Sequence, residues 1–492
     1  MKKWTICMCL GLLMTLVAMN PQAEEVEPTE REKELLNRVE ELEKRLWQLE
    51  TELRETKAAP PRVPAELTSR VEDVEKKVEV GLAKVGAVEE QVKKIEPVEV
   101  KPDTFRAFWK EGLNFETADK AFKLKIGGRI HFDSAFTSGD DELVEEVGAL
   151  KDGVEFRRAR IALSGSVYDK VEFKTQYDFA GGSFKYKDDK DKVSTFGGGQ
   201  AKWKDVYLGV LHLPVVGNIR IGQFYEPFGL EEQTSSNYIT FMERSLTSAL
   251  VPSRNAGLMF HNSELGDRMT WSLGVFKDTN DVGDRISDGE YNFTARVTGT
   301  PWYEDKGRKL LHLGAAYSHR NPNDDKVRFR ERPEVHISPR YVDTHDITGL
   351  DDMDLVGAEA ALVAGPFSLQ GEYINAMTNT ADGTDPTFSG FYAMASYFLT
   401  GENRAYKGGL FSRVKPKKNF GAGGPGAWEI AARYSHLDLD DGELEGGKLD
   451  DVTVGLNWYL NPNTRFMLNY VHADLDEVGQ SDTFQMRAQV DF

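Results

Sequence analysis

From Phe122 to Phe492 the chain alternates apolar and polar residues at period 2, in one segment after another. Nowhere beyond Met19 does it hold the roughly 18 to 20 consecutive apolar residues that a membrane-spanning helix needs. Phe122, Leu124, Ile126, Ile130 and Phe132 alternate with Lys123, Lys125, Arg129, His131 and Asp133. Trp428, Ile430, Ala432 and Tyr434 alternate with Glu429, Arg433 and Ser435. A strand with one apolar and one polar face stands between two different solvents. The only other fold that satisfies its backbone inside a bilayer is a closed barrel.

Sixteen such segments begin near residues 122, 154, 171, 203, 217, 256, 269, 290, 309, 354, 366, 388, 427, 451, 465 and 483. Each runs about 9 to 12 residues, the length of a tilted membrane-crossing strand. Short turns at 168–170, 214–217 and 461–464 alternate with long connections at 134–153, 180–202, 225–255 and 320–353, as in outer-membrane barrels. One connection, 401–426, is long on the short-turn side, Gly-rich and basic. A soluble sandwich or propeller fits these lengths and the even count less well. The last segment, Phe484, Met486, Ala488, Val490 and Phe492, ends on an aromatic suited to an interfacial girdle.

Ahead of this region the period changes. Lys2 and Lys3, the apolar run Trp4–Met19 and Pro21-Gln22-Ala23 have the form of a signal peptide over residues 1–23. Cys7 and Cys9 lie within it, so the mature chain offers neither disulfides nor thiolate metal ligands. In 24–59, Leu35, Val39, Leu42, Leu46, Leu49 and Leu53 form an a/d seam. Pro60, Pro61 and Pro64 break the helix across 60–66. A second seam in 67–96, Leu67, Val71, Val74, Val78, Gly81, Val85, Val88, Val92 and Ile95, places β-branched residues at both a and d, a pattern favouring three strands over two. Residues 97–121 are then a linker. The expected fold class is all-β: a 16-stranded antiparallel transmembrane β-barrel, 122–492, preceded by an α-helical coiled-coil stalk in the periplasm.

The net charge of −19, with no basic interleaved patch, argues against nucleic-acid binding. No GxSxG elbow or metal-ligand spacing of histidines points to an enzyme, a metal or a cofactor. Asp438, Asp440, Asp441 and Glu443 are acidic enough to raise calcium as a thought, on composition alone.

Several stretches resemble one family. Phe156-Arg157-Arg158-Ala159-Arg160-Ile161 is similar to a signature of the phosphate-selective porin O and P family, as are Gly222–Glu231, Thr234–Ser245, Tyr397–Glu402 and Gly426–Ser435. The resemblance runs from about Lys123 to Phe492. It implies sixteen strands, a homotrimer, a third long loop folded into the pore, and a ladder of arginines to which Arg157, Arg158 or Arg160 would belong.

Anion passage needs cations facing the lumen, because they offset lost hydration. By alternation Arg129, Arg158, Arg160, Arg220, Arg296 and Arg433 lie on polar faces, whereas Arg157 is out of phase with its neighbours. The alternative for all of them is wall salt bridges, with Glu172, Asp178 or Glu429, that select nothing. The third loop, Tyr225 to Asn255, carries Glu226, Glu231, Glu243, Arg244 and Arg254 as constriction candidates and no lysine. The basic run Lys326, Arg328, Arg330, Arg332 and Arg340 compensates only if its loop turns inward. The expected partners are outer-membrane lipid and small hydrophilic solutes, chiefly anions such as phosphate, with cell-wall contact through the stalk. A second reading is a general or cation-preferring channel, favoured by the net charge, whose stalk tethers the membrane to the wall.

Overall fold

Strands form where the alternation predicts them. The computed structural model describes residues 105–180, 185–186, 193–194 and 201–492, and in addition Gln48 and Lys76, both helical. The expected signal peptide, 1–23, and the remainder of both expected heptad segments lie outside the described residues.

The first two strands are β1 (Phe105–Trp109) and β2 (Leu113–Thr117). The wall follows as β3 (Phe122–Gly139), β4 (Gly153–Val167), β5 (Val171–Asp178), β6 (Lys202–Leu213), β7 (Gly217–Tyr225) and β8 (Arg254–Glu264). It continues as β9 (Met269–Lys277), β10 (Tyr291–Glu304), β11 (Lys309–Arg320), β12 (Leu350–Ala364) and β13 (Phe367–Thr380). It ends as β14 (Thr387–Phe398), β15 (Ala427–Asp441), β16 (Leu444–Asn461), β17 (Thr464–Leu475) and β18 (Gly479–Asp491). From β3 on, each strand pairs antiparallel with the next, and β18 returns to β3 with Ser481 opposite Gly139 and Asp491 opposite Arg129. The sixteen strands therefore close with no free edge.

The expected linker 97–121 is more than a linker. Its β1 and β2 form a hairpin, and β2 pairs with β3 from Leu113 opposite Ile126 to Glu116 opposite Lys123. This is where β18 has already ended, so the hairpin covers ladder groups on β3 that would otherwise lie bare.

The two faces of the wall differ as two solvents require. Leu208, Ile221, Val454 and Phe484 are exposed on the outside, an apolar belt no soluble protein tolerates. Trp428 and Trp458 stack at 5.0 Å on the short-turn side, with Phe420 and Phe466 beside them, in the place of an aromatic girdle. Inside, Arg433, Arg465 and Arg487 are among the largest fully buried side chains. On β18 the inner set is Gln485, Arg487, Gln489 and Asp491, all buried, and the outer set is Phe484, Met486, Ala488 and Val490.

One irregularity re-aims an arginine. Between His131 and Phe132 the β3–β4 register shifts: Arg158 stands opposite His131, and Phe156 opposite Phe132. The extra residue is Arg157. A bulge turns it out of the alternation.

The long-loop end of the barrel is filled. Phe228, Leu246 and Leu250 of the third loop pack with Phe329, Tyr341, Val342 and Ile347 of the fifth loop (321–349), and with Leu143 of the short helix α1 (Asp141–Val147). They meet inward apolar residues of the wall, Phe388, Leu437 and Leu449. Each such side chain contributes about 1.5–3 kcal/mol by leaving water. On the opposite side the connection 399–426 also turns inward, and Phe411 packs on Leu230 of the third loop and Leu310 of β11.

Candidate pore constriction

The third loop spans 226–253, slightly shorter than expected, and it is stitched to the wall from end to end. At its start Glu226 is buried and accepts from Asn255 (2.7 Å), Thr294 (2.5 Å) and Arg320 (2.9 Å). Gly229 has φ 71°, and a Cβ there would meet the Glu372 carboxylate at 2.9 Å, so glycine is required. That carboxylate takes the amides of Leu230 and Glu231, each at 2.7 Å.

The loop then crosses β15 to β18 and reaches β3 and β4. Its carbonyls, which would be orphaned in a buried loop, find wall donors. Asn457 serves Thr240 (2.8 Å), Arg465 serves Ile239 (2.9 Å), Gln489 serves Asn237 (3.1 Å) and Arg487 serves Met242 (2.5 Å). Arg244 gathers the carbonyls of Glu231, Glu232 and Thr234, and pairs with the Glu232 carboxylate at 2.9 Å.

Glu243 is held by two arginines of the wall. Arg157, turned inward by the bulge, grips it with two bonds of 2.9 and 2.8 Å. Arg487 adds a third at 2.7 Å and holds Asp133 with two more, at 2.7 and 2.6 Å. Burial works against ionisation of Glu243. Arg157, Arg158 and Arg487 nevertheless hold its carboxyl well below the ordinary 4.5. Arg157, out of phase with its neighbours by alternation, therefore faces inward all the same and anchors the loop.

The other candidates separate into paired and unpaired. Arg160 is bound to Asp178 (2.6 Å), Arg220 to Glu172 (2.8 Å), Arg296 to Glu359 (2.6 Å), and Arg433 to Glu231 (3.1 Å) and Glu334. Two of the wall bridges foreseen, to Asp178 and Glu172, thus exist. Glu429 does not join them; it accepts from Asn457 and Tyr459. Arg254 belongs to strand β8, not to the loop, and pairs with Asp205 at 2.6 Å over the ring of Tyr225. Glu226, Glu231, Glu243 and Arg244 all serve to fasten the loop rather than to present free charge.

Arg129 is different. Among the described residues its side chain bonds only hydroxyls, Ser236 at 2.8 Å and Ser235 at 3.3 Å. Arg158 lies 3.9 Å from Glu243, and its Nε has no partner. Arg129 feels the charges of Arg160 and Arg254, and Lys204 feels the same two. Lys174 shares Asp205 with Arg254. A basic strip therefore runs over β3, β4, β5, β6 and β8, meeting the third loop at Arg129, where Ser235 and Ser236 lie. Lys174 lies on the polar face that alternation assigns to β5, with Glu172 and Asp178, whereas Lys204 sits where alternation alone does not place it, because a second register shift, between Thr175 and Tyr177, adds a residue on β6 and changes its phase there.

The fifth loop does turn inward. Its Val335 and Ile337 pack on Ala135 and Val471. A cavity of about 270 Å³ opens between the two loops, lined in part by Arg157, Glu243, Arg244, Arg332, Glu334 and His336. Burial, then Arg332 and Arg330, push the Arg340 guanidinium down to about 10, still charged at neutral pH. Among the described residues the acidic stretch 438–443 does not converge: Asp438 pairs with Lys448 at 3.1 Å, and Asp441 accepts from the Thr387 amide.

Residues 124–492 match the family described as phosphate-selective porin O and P. The chain is 32% identical over 374 residues to an uncharacterized protein of Caulobacter vibrioides, covering 74% of this chain and 70% of that one. It is 29% identical over 404 residues to Porin O of Pseudomonas aeruginosa, covering 75% and 87%. Among solved structures it is similar to an anion-selective porin from Comamonas acidovorans (13% identity, TM-score 0.47, 75% of this chain, 100% of that chain). It is likewise similar to the outer-membrane channel DcaP of Acinetobacter baumannii (13%, TM-score 0.44, 77% and 99%).

Proposed function

This chain belongs to the phosphate-selective porin O and P family, and from that premise we propose that its outer-membrane channel prefers small anions, phosphate among them. The observation that carries the reading is the charge of the basic strip on β3 to β6 and β8. Arg129, Arg160, Lys174, Lys204 and Arg254 are set against Asp178 and Asp205, while the two further acids they feel, Asp491 and Asp281, are paired with Arg413 and Lys202. Among the described residues the strip stays positive after these pairings, although the chain as a whole is acidic. An anion entering it exchanges hydration for guanidinium and ammonium donors.

The expected result is specific. With an effective dielectric near 20, one unit charge about 10 Å away contributes about 1–2 kcal/mol. Replacing Arg129 and Lys204 together with Ala should lower the anion-to-cation permeability ratio roughly tenfold, read as reversal potential across a KCl gradient at low salt. Among the described residues neither carries an ion pair, so the wall should stay intact. An unchanged reversal potential would show that the strip does not select.

We further infer a homotrimer whose heptad segments form a periplasmic stalk, on the strength of the β-branched second seam. Sedimentation of the full chain in detergent should give the mass of three chains. A monomeric or dimeric mass would reject the reading.

A further inference from the structure

Three copies of one side-chain arrangement stand on the outer face of the barrel, all at its long-loop end. Between β11 and β12, Asp354 accepts from Tyr317 Oη at 2.7 Å and meets His319 Nδ1 at 2.9 Å. Between β15 and β16, Asp450 does the same with Tyr434 (2.6 Å) and His436 (2.8 Å). Between β17 and β18, Asp482 does so with Tyr470 (2.7 Å) and His472 (2.8 Å).

The construction is the same each time. Tyr and His are two residues apart on one strand and so share a face. The Asp stands directly opposite the His on the next strand: His319 with Asp354, His436 with Asp450, His472 with Asp482. In all three copies both bonds fall on the same carboxylate oxygen, Oδ1. Oδ2 has no hydrogen bond or ion pair among the described residues, and the carboxylates are 37%, 37% and 52% exposed. Tyr and His thus hold each carboxylate in one orientation with its second oxygen outward.

The position is as regular as the chemistry. Opposite each Tyr stands an exposed apolar residue, Val356, Val452 or Phe484, the top of the lipid-facing belt. Beyond the three Asp the outward residues include further acids, Asp352, Asp438, Asp440 and Asp474, set against Lys448 and against Gln480, which donates to Asp474 at 2.9 Å. Around the first copy, ligand atoms of His319, Asp352 and Asp354 all lie within 4.8 Å of one another. The groups therefore mark the edge where hydrocarbon gives way to head groups, and what continues that interface is the outer-leaflet surface.

We propose that Asp354, Asp450 and Asp482 bind hard divalent cations that bridge the barrel to phosphate groups of outer-leaflet lipid. An acidic rim repels a bare phosphate, whereas a Mg²⁺ or Ca²⁺ ion takes oxygen ligands from both sides. The Tyr and His are positioning residues; oriented carboxylates of this kind resemble the supported ligands of known metal sites. The proposal concerns the outside of the barrel and is independent of what the pore conducts.

The test uses the full chain in phosphatidylcholine vesicles with or without bis-phosphorylated lipid A. Lipid A retained on detergent extraction is measured in Mg²⁺ and in EDTA. Retention should require both Mg²⁺ and the phosphorylated lipid. A triple Asp354→Asn, Asp450→Asn, Asp482→Asn variant should need roughly tenfold more Mg²⁺ for the same retention. Asn keeps the acceptor oxygen for Tyr and His, and unchanged conductance in a planar bilayer reports that the variant is folded. The EDTA comparison on unaltered protein stands even if it is not. Retention that is indifferent to EDTA, or equal in the variant, overturns the proposal. So does a Mg²⁺-dependent stabilisation reproduced by inorganic phosphate in vesicles lacking lipid A, which would identify a site for soluble phosphate instead.

Discussion

Removal of Val490, Asp491 and Phe492 is expected to abolish membrane insertion, not to trim a tail. Val490 stands opposite Ile130 on β3 and opposite Thr464 on β17, and Asp491 stands opposite Arg129. Phe492 exchanges two backbone bonds with Gly128, at 2.7 and 3.0 Å. Asp491 also binds Arg413, which ties the inward connection 399–426 to the seam. Deletion opens β3 and β17 together, and each bare amide or carbonyl in hydrocarbon costs several kcal/mol. The measurable outcome is loss of heat-stable barrel in the membrane fraction and degraded chain in the periplasm. Normal amounts of inserted barrel would refute closure through this strand. Met486→Arg, on the lipid face of the same strand, should cost about 2–4 kcal/mol in a lipid-refolding titration, whereas Met486→Leu should cost little.

Arg487→Met is expected to release the third loop. Arg487 is fully buried, and it is the one residue that binds the wall acid Asp133, the loop acid Glu243 and the loop carbonyl of Met242 together. Its loss leaves two buried carboxylates short of a cation, an effect of about 3–5 kcal/mol. Single-channel conductance should rise or become noisy, and thermal stability should fall. Arg157 retains its grip on Glu243, so the loop should loosen without unfolding the barrel. The lock also has a pH window. The Glu243 carboxyl sits below its ordinary 4.5, so its contribution is complete above that value and is lost only as pH falls through its depressed value. Conductance of the unaltered channel should therefore stay flat from neutral pH down to about 4.5. A step in that range, or an Arg487→Met channel of unaltered conductance, would assign the lock elsewhere.

The fold was largely legible because a bilayer imposes a simple rule on a strand. Lipid outside and a polar interior inside force period 2, and the sixteen starts near 122 to 483 follow from it. The same rule put Arg129, Arg158, Arg160 and Arg433 on the inner face, and the resemblance around Phe156–Ile161 pointed to the right stretch. It failed at Arg157, since a bulge adds one residue on one strand and leaves no mark in the pattern of that strand alone. It failed for Lys204 for the same reason. The hairpin at Phe105–Thr117 was missed because two five-residue strands are too short to show a period.

What sequence by itself determined, then, is which residues face which solvent: barrel, strand count and inner cations all depend on local alternation. What tertiary structure decided is which of those cations remain free. Glu243 reaches Arg157 and Arg487 across 86 and 244 residues, and the third loop chooses its wall through carbonyls that look alike in every sequence. Pairing is a matter of three-dimensional proximity. The same arginine is a rivet beside a carboxylate and an unpaired charge without one, and only the folded chain distinguishes Arg433 from Arg129.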